Sequence, residues 1–492
     1  MSAIGIADVT PLVLPSVERP KAEKAKGVRL TRLVATVLVG LVIWYLPGPA
    51  GVDIRAWHLF AIFVATILGL ILQPLPMGAV VLIGMIMTAL TETLSIGDAL
   101  NGFANPTVWL IFVAFLFARA FAKTGLGRRI AFCFIRMFGH RTLGLGYALA
   151  ASDLLLSPAI PSGAARSGGV IFPVVRSLSG TFGSEPGESA GKIGRFLHLA
   201  AYHAHGITAA MFMTAMAANP LIVEFAAKSA NVHITWGSWA LAGIVPGLIS
   251  LIVVTYLIYK IDRPEITETP QAAQFARTEL AKMGEITRDE WVVLGTFALA
   301  LVLWLTGSLT HIEATVVALL GLGLMILLGT LTWDDVLGER AGWNTLIWFG
   351  GVVGMATMLS KLGLFKWFAA FVAAHVTGLP WLPALVTLVL VYNFSGYLFA
   401  SLTAHVVALY VPFLTVAVAV GAPPLFAALV LAFVSSLCVS LTHYAGGPAP
   451  VYYGSGYVSL RRWWGIGFLV GVVNLVIWLG IGGLYWKALG LF

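Results

Sequence analysis

Charge is what this sequence has least of. Only 10% of its 492 residues are Asp, Glu, Lys or Arg, against 59% that are hydrophobic, and the mean hydropathy is +0.94. Globular domains carry about 25% charged residues, so an ordinary soluble protein is excluded. The few charges leave apolar windows of roughly 17 to 25 residues, the length that crosses a bilayer. Cysteine is almost absent. Cys133 and Cys438 sit among apolar neighbours without C-x-x-C spacing, which excludes a disulfide framework and a zinc site. Nothing in the sequence asks for a metal or a cofactor. Glycine, at 53 residues, and tryptophan, at 16, are abundant, the latter suited to interfacial belts and core packing. A net charge of +8 would suggest nucleic acid in a soluble chain. Here its distribution encodes orientation instead, and no nucleic-acid partner is implied.

The fold class expected is an all-α polytopic membrane protein. Residues 1–30 carry three prolines and five Lys or Arg before position 30 and read as a basic cytoplasmic tail. A retained first span over 33–46 is followed by apolar segments at 57–73, 77–91, 107–122, 196–228, 237–259, 291–308, 314–330, 344–360, 424–457 and 465–487, eleven spans in all. Two further apolar stretches, 145–178 and 383–420, are interrupted at Pro161-Ser162-Gly163 and at Ser401-Leu402-Thr403. Arms of about 15 residues reach about 22 Å, against a hydrocarbon core of about 30 Å. They read as re-entrant hairpins whose tips line a cavity, because irregular backbone at that depth must be buried by protein or wetted.

With the N-terminus inside, 22 of the 29 Lys and Arg fall on the inner side and five outside: Arg55, Lys228, Lys361, Lys366 and Lys487. The remaining two, Arg119 and Arg166, lie in membrane segments. This is a positive-inside pattern and places the C-terminus outside. The organisation expected is the tail, a first span plus repeat 1 over 31–260, a solvated cytoplasmic connector over 261–290, and repeat 2 over 291–492.

The repeat itself is legible as a nearly constant offset. At 238, Thr107 maps to Thr345, Lys123 to Lys361 and Gly125 to Gly363; at 239, Ser162 maps to Ser401, Ala165 to Ala404 and Pro173 to Pro412. At 228, Thr214 and Pro220 map to Thr442 and Pro448. The copies are displaced by an odd number of spans, so the second is inverted, the construction of secondary transporters with broken segments at the binding site.

Those broken segments suit an anion. Ser162 and Ser401 can each cap the arm that follows. Asn219-Pro220 and Gly447-Pro448 are read as the starts of the second halves of two broken spans. Four half-helix N-termini then offer N–H donors and partial positive charge near the midplane, which suits a dianion. Arg166 and its repeat mate His405 each lie four residues past a tip serine. An arginine at membrane depth is functional by default, the alternative being a structural tie to helix carbonyls or to Asp153. The substrate-binding set expected is Ser162, Gly163, Ala164, Ala165, Arg166, Thr214, Asn219, Pro220, Ser401, Leu402, Thr403, His405, Thr442, Gly447 and Pro448.

The stretches Gly102–Trp109 (GFANPTVW), Lys123–Arg129 (KTGLGRR), Thr214–Pro220 (TAMAANP), Leu441–Pro448 (LTHYAGGP) and Val451–Tyr457 (VYYGSGY) resemble the divalent anion:sodium symporter family. The likeness is strongest to its branch of dicarboxylate and tricarboxylate exchangers and covers nearly all of the chain after residue 30. The resemblance implies a homodimer in which hairpins and broken spans form a mobile transport domain working by an elevator motion. It also implies a Ser-Asn-Thr motif at each tip, contacting substrate carboxylates and sodium. This chain departs from that motif: its tips read Ser162-Gly163-Ala164 and Ser401-Leu402-Thr403. In exchangers of the family, cationic side chains near the tips take the place of sodium ions. A fixed arginine would leave the empty site cationic and costly to move through hydrocarbon, so obligatory, sodium-independent exchange of organic dianions is expected. The competing readings are a sodium-coupled symporter on the same scaffold, a membrane-embedded enzyme built on histidines and Asp153, and an anion channel. Among weaker signals, His198, Tyr202, His203 and His205 read as packing or interfacial residues. Asp153 and Glu224 read as ion-paired or segment-end carboxyls. Arg128, Arg129, Arg136 and Arg141 lie between a span and a hairpin, in a stretch with enough apolar residues for an interfacial amphipathic helix.

Overall fold

The computed structural model describes residues 29–375 and 380–491; most of the predicted basic tail lies outside them. The described chain is helical, with one isolated bridge, Arg141 to Glu268, in place of any sheet. Among the described residues seven helices are long and apolar enough to cross a membrane. Arg340–Lys361 and Leu364–Ala374, bent by 65°, together make an eighth. Four shorter apolar helices, Leu30–Tyr45, Met77–Leu90, Thr142–Leu156 and Ala314–Leu327, accompany them.

Helix ends fall where the chain supplies the chemistry for them. Asn105 accepts from the Thr107 amide at 2.8 Å and Pro106 takes the first position of Pro106–Thr124. That helix stops at Gly125, φ +77°, and Leu126–Phe138 begins beyond it; at the repeat mate Gly363, φ +82°, the chain turns into Leu364–His375 in the same way. Both positions need the left-handed backbone that glycine adopts without strain. The hairpin arms Thr142–Leu156 and Trp381–Ser395 differ by 239 at both ends. The recurrence extends further toward the N-terminus than the polar matches reach. Ile54–Leu72, Met77–Leu90 and Ile96–Leu100 are followed, at offsets of 233 to 237, by Arg288–Leu305, Ala314–Leu327 and Trp333–Leu337. The caps recur as well: Ser95 accepts from the Asp98 amide and Thr332 from the Asp335 amide.

Three expectations are corrected. The connector over 261–290 contains a helix, Pro270–Met283, that packs along the amphipathic helix Leu126–Phe138. Arg129 fastens the two: buried, it pairs with Glu290 at 2.5 Å and donates to the carbonyls of Met283, Gly284 and Glu285. The break of the first broken span comes at 212–217, before Asn219, and the second half begins at Ala218. In the second broken span the chain leaves helix after Leu441 and resumes only for Ala449–Gly454, with Pro448 as the flanking residue.

The repeats are also tied by charge. Asp335 sits 3.0 Å from Arg119 and 2.6 Å from Lys123. Burial alone would raise its pKa, but Lys123, the Thr332 amide and hydroxyl, and Arg119 together hold it well below the usual carboxylate range. The stabilisation from this group is therefore complete above its unfolded value of about 3.9 and is lost only as pH falls through the lower folded one. The gap in melting temperature between wild type and Asp335→Asn is expected to stay constant from pH 8 to pH 5. A gap that closes within that window would show that the ion cluster does not act on Asp335.

Candidate anion site at the broken segments

The two repeats interleave at their breaks. Pro161 at the first tip accepts from the Ala217 amide at 3.1 Å, joining the tip to the first break. Thr214 reinforces this by donating to the Pro158 carbonyl at 2.7 Å while accepting from Trp236. The same tip meets the second repeat. A Cβ added to Gly447 would stand 3.1 Å from that of Ala164, and the Tyr452 hydroxyl lies 3.1 Å from Ser167 Oγ. The two breaks touch through Ser436, which donates to Asn219 Oδ1 at 3.2 Å. The second tip is linked to the second break by the Tyr444 hydroxyl on the Tyr397 carbonyl at 2.8 Å. Tips and breaks of both halves thus form one contiguous cluster.

Within it the expected residues separate into those that reach open space and those that hold the frame. Ser162, Gly163, Ala164, Ala165, Ser401, Thr403 and Gly447 are at least partly exposed. Both serines cap: Ser162 Oγ accepts from the Ala165 amide at 3.2 Å and Ser401 Oγ from Ala404 at 3.4 Å. The second half of the first hairpin opens with a π-helical stretch, Ala164–Ile171. Its first-turn N–H groups have no intrahelical partner. Arg166, Thr214, Asn219, Pro220, Leu402, His405, Thr442 and Pro448 are buried.

Burial corrects the expected roles of several of these. Asn219 does not cap its own helix; from inside the first turn its Nδ2 donates to the Ala209 and Phe212 carbonyls at 2.8 and 3.0 Å. It so satisfies the C-terminal end of the preceding half-helix, Gly194–Met211. Pro220 follows at a position whose N–H would be unpaired in any residue. Thr442 is buried, and its hydroxyl has no partner among the described residues.

Arg166 is fully buried and points behind the tip, with all five of its N–H donors engaged. Nε faces both Asp153 oxygens at 3.2 and 3.3 Å. Nη1 donates to the Ile160 and Ala215 carbonyls at 2.6 and 2.8 Å and, more weakly, to Ser157. Nη2 reaches His205 Nδ1 at 3.0 Å and Thr208 Oγ1 at 3.4 Å. Thr208 also donates to Asp153. The guanidinium therefore sits in a ring of main-chain oxygens from both the tip and the break, the ligand type that unwound transporter helices offer to sodium. With Asp153 against it the pair is neutral, so the cationic empty site expected from Arg166 alone is replaced by a compensated one. Among the described residues the second repeat has no ion pair here. At offset 239, Tyr392 stands for Asp153 and His405 for Arg166, and His405 Nε2 lies 2.9 Å from Ser395 Oγ and 3.1 Å from the Tyr392 carbonyl.

The supporting roles of His205, Thr208 and Ser436 were not anticipated, although Thr208 and Ser436 are repeat mates at offset 228. His198 packs, stacking on Tyr457 at 4.0 Å, and Glu224 accepts from Asn105 and Thr107. Among the described residues no group of three or more His, Cys, Asp or Glu side chains is placed to hold a metal.

With this geometry in view, a family profile described as the sodium:sulfate symporter transmembrane region matches residues 27–492. The chain belongs to that family. It is accordingly a membrane transporter and not an enzyme. A Bacillus subtilis (strain 168) protein named malate transporter YflS is 52% identical over 472 residues, covering 96% of this chain and 99% of the relative. The Spinacia oleracea protein named dicarboxylate transporter 1, chloroplastic, is 47% identical over 470 residues, covering 95% and 83%. Among solved structures, the Alcanivorax borkumensis YdaH transporter aligns with a TM-score of 0.52 at 15% identity over 94% of this chain and 97% of that one. This likeness bears on the fold alone.

Proposed function

We propose that the protein exchanges organic dicarboxylate or tricarboxylate anions, of the 2-oxoglutarate, malate, succinate or citrate class, by sodium-independent antiport. The observation that carries this reading is the guanidinium of Arg166 in the oxygen ring formed by Ser157, Ile160 and Ala215. A covalently attached cation fills that ring and cannot travel with the substrate. The names borne by the Bacillus and spinach relatives support the substrate class.

Obligatory exchange follows from the tips rather than from a net charge. The first-turn N–H groups that Ser162 and Ser401 leave unpaired must be dragged through a low-dielectric region whenever the empty carrier reorients, at a cost of about 1–3 kcal/mol for each unsatisfied donor. A bound dianion satisfies them, so the loaded carrier moves more readily. In this reading the hairpins and broken helices move as a unit in an elevator motion, and the first span and the two repeats make eleven spans plus two hairpins. The N-terminus is cytoplasmic, the C-terminus outside, the repeats are inverted, and the assembly is a homodimer in the bacterial inner membrane.

The test is uptake of labelled succinate into proteoliposomes preloaded with succinate, malate, 2-oxoglutarate, citrate or nothing, in sodium and in choline buffers. Uptake that requires an internal dianion and is equal in the two buffers is the expected result. Uptake into empty vesicles driven by a sodium gradient would overturn it in favour of a sodium-coupled symporter.

A further inference from the structure

We propose that the Nε2–H of His205 is a donor to a substrate carboxylate, filling at the first hairpin tip the place of the side chain that Gly163 lacks. The proposal rests on the exchange reading above and assigns a binding group within that site.

The tautomer follows from the neighbour. A guanidinium has only donors, so Nδ1, 3.0 Å from Arg166 Nη2, must accept. An imidazole whose Nδ1 accepts is uncharged and carries its proton on Nε2. Among the described residues that N–H has no acceptor, and the side chain keeps a small exposure of 6%. An N–H so placed costs free energy unless something binds to it.

Its direction is given by Gly163. A Cβ built there would lie 2.6 Å from Nε2, 2.8 Å from Cε1 of the same ring and 3.3 Å from Pro448 Cδ. No side chain at 163 fits while the ring is in place. The absent tip asparagine and the histidine 42 positions later are therefore two parts of one arrangement, in which the polar group comes from the helix Gly194–Met211 behind the tip. The ring is fixed as a binding group should be, with Arg166 on Nδ1 and Arg166 in turn held by Asp153 and Thr208. Around it lie the amides of Gly163 and Ala164, which have no acceptor among the described residues, while Ser162 Oγ caps that of Ala165, and beside them the exposed Gly447. The groups left free there, the Nε2–H and the amides at 163 and 164, are donors, and they match a group made only of acceptors, an ionised carboxylate.

Two substitutions separate binding from structure. His205→Asn keeps an acceptor near Nδ1 for Arg166 and removes the distal donor; His205→Gln keeps a donor near Nε2 and gives up the proximal acceptor. Succinate counterflow is measured for both with amount of folded protein and melting temperature. His205→Asn is expected to fold and to raise the half-saturating concentration about tenfold, the loss of one hydrogen bond to a charged group, with His205→Gln closer to wild type. Gly163→Ala, which displaces the ring, is expected to follow His205→Asn. Wild-type affinity in His205→Asn and Gly163→Ala, with the deficit confined to His205→Gln, would overturn the proposal and leave the exchange reading standing. A wild-type protein that exchanges none of the dianions would overturn both.

Discussion

Arg166→Ala is expected to collapse the yield of folded protein in sodium-free medium. The substitution leaves the buried Asp153 carboxylate with the Thr208 hydroxyl in place of its counter-ion. It also strips the Nη1 donors from the Ile160 and Ala215 carbonyls. Removing one partner of a buried pair costs about 3–5 kcal/mol, and each orphaned acceptor about 1–3 more, against a typical total stability of about 5–15 kcal/mol. Sodium should restore part of it, because the vacated space is ringed by a carboxylate, main-chain carbonyls and a hydroxyl, oxygen ligands with His205 Nδ1 beside them. A ligand at 100 times its dissociation constant returns about 2.7 kcal/mol. The measurement is the melting temperature of wild type and Arg166→Ala in sodium and in choline. Wild type should be indifferent to the cation, and the variant low in choline and raised by sodium. Removing both charges, Asp153→Asn with Arg166→Ala, should recover stability without sodium. A single Arg166→Ala variant that melts with wild type in choline would show that the guanidinium does not hold tip and break together.

How much of this was legible beforehand divides along physical lines. Span positions follow from composition alone, since each apolar window must be satisfied internally as helix. The tips follow from Pro161-Ser162-Gly163 and from Ser401, residues that interrupt or cap helices, whereas the prolines at 220 and 448 mark where helix resumes and leave the breaks themselves, upstream of them, unlocated. The repeat was legible through polar and glycine matches, and was missed upstream of Thr107, where Met77–Leu90 and Ala314–Leu327 are written in interchangeable apolar letters. Spacing does not say which way a side chain faces once helix periodicity ends. Arg166 and Asp153 are 13 residues apart across a tip whose path only the structure supplies. The helix over Pro270–Met283 has a polar composition that gives no apolar window. Yet Pro270 in its first turn and Gly284 just past its end, φ +69°, are the usual marks of a helix at its two ends. The residue type of Asn219 allows it to cap the helix that follows. It serves the helix before it, a choice made by the sharp turn at 212–217.

The other large effect expected is at Gly102, which opens one of the stretches that carry the family resemblance. A Cβ there would stand 1.9 Å from the Gly350 carbonyl oxygen and 2.5 Å from the Gly354 nitrogen. The obstacles are main-chain atoms of Arg340–Lys361 and cannot rotate away. Gly350 and Gly354, one turn apart, form a groove of the small-xxx-small kind that lets membrane helices approach closely. Relief requires the helix to move off by more than an ångström. The neighbouring face of that helix is already filled, since Gly351 is close-packed on Val81 and Met85 and Gly350 on Phe103. Overpacking costs about 1–3 kcal/mol where side chains yield, and Gly102→Ala should exceed that range because backbone must yield instead. Gly323→Ala is the matched control: a Cβ there meets nothing within 4 Å, and alanine in a helix gains about 0.5–1 kcal/mol over glycine. Melting temperatures of the two variants should therefore move in opposite directions. Gly102 does not touch the tips, so succinate affinity in the surviving folded fraction of Gly102→Ala should be that of wild type. An altered affinity would mean that the contact between the first repeat and Arg340–Lys361 sets the geometry of the site as well as holding the halves together.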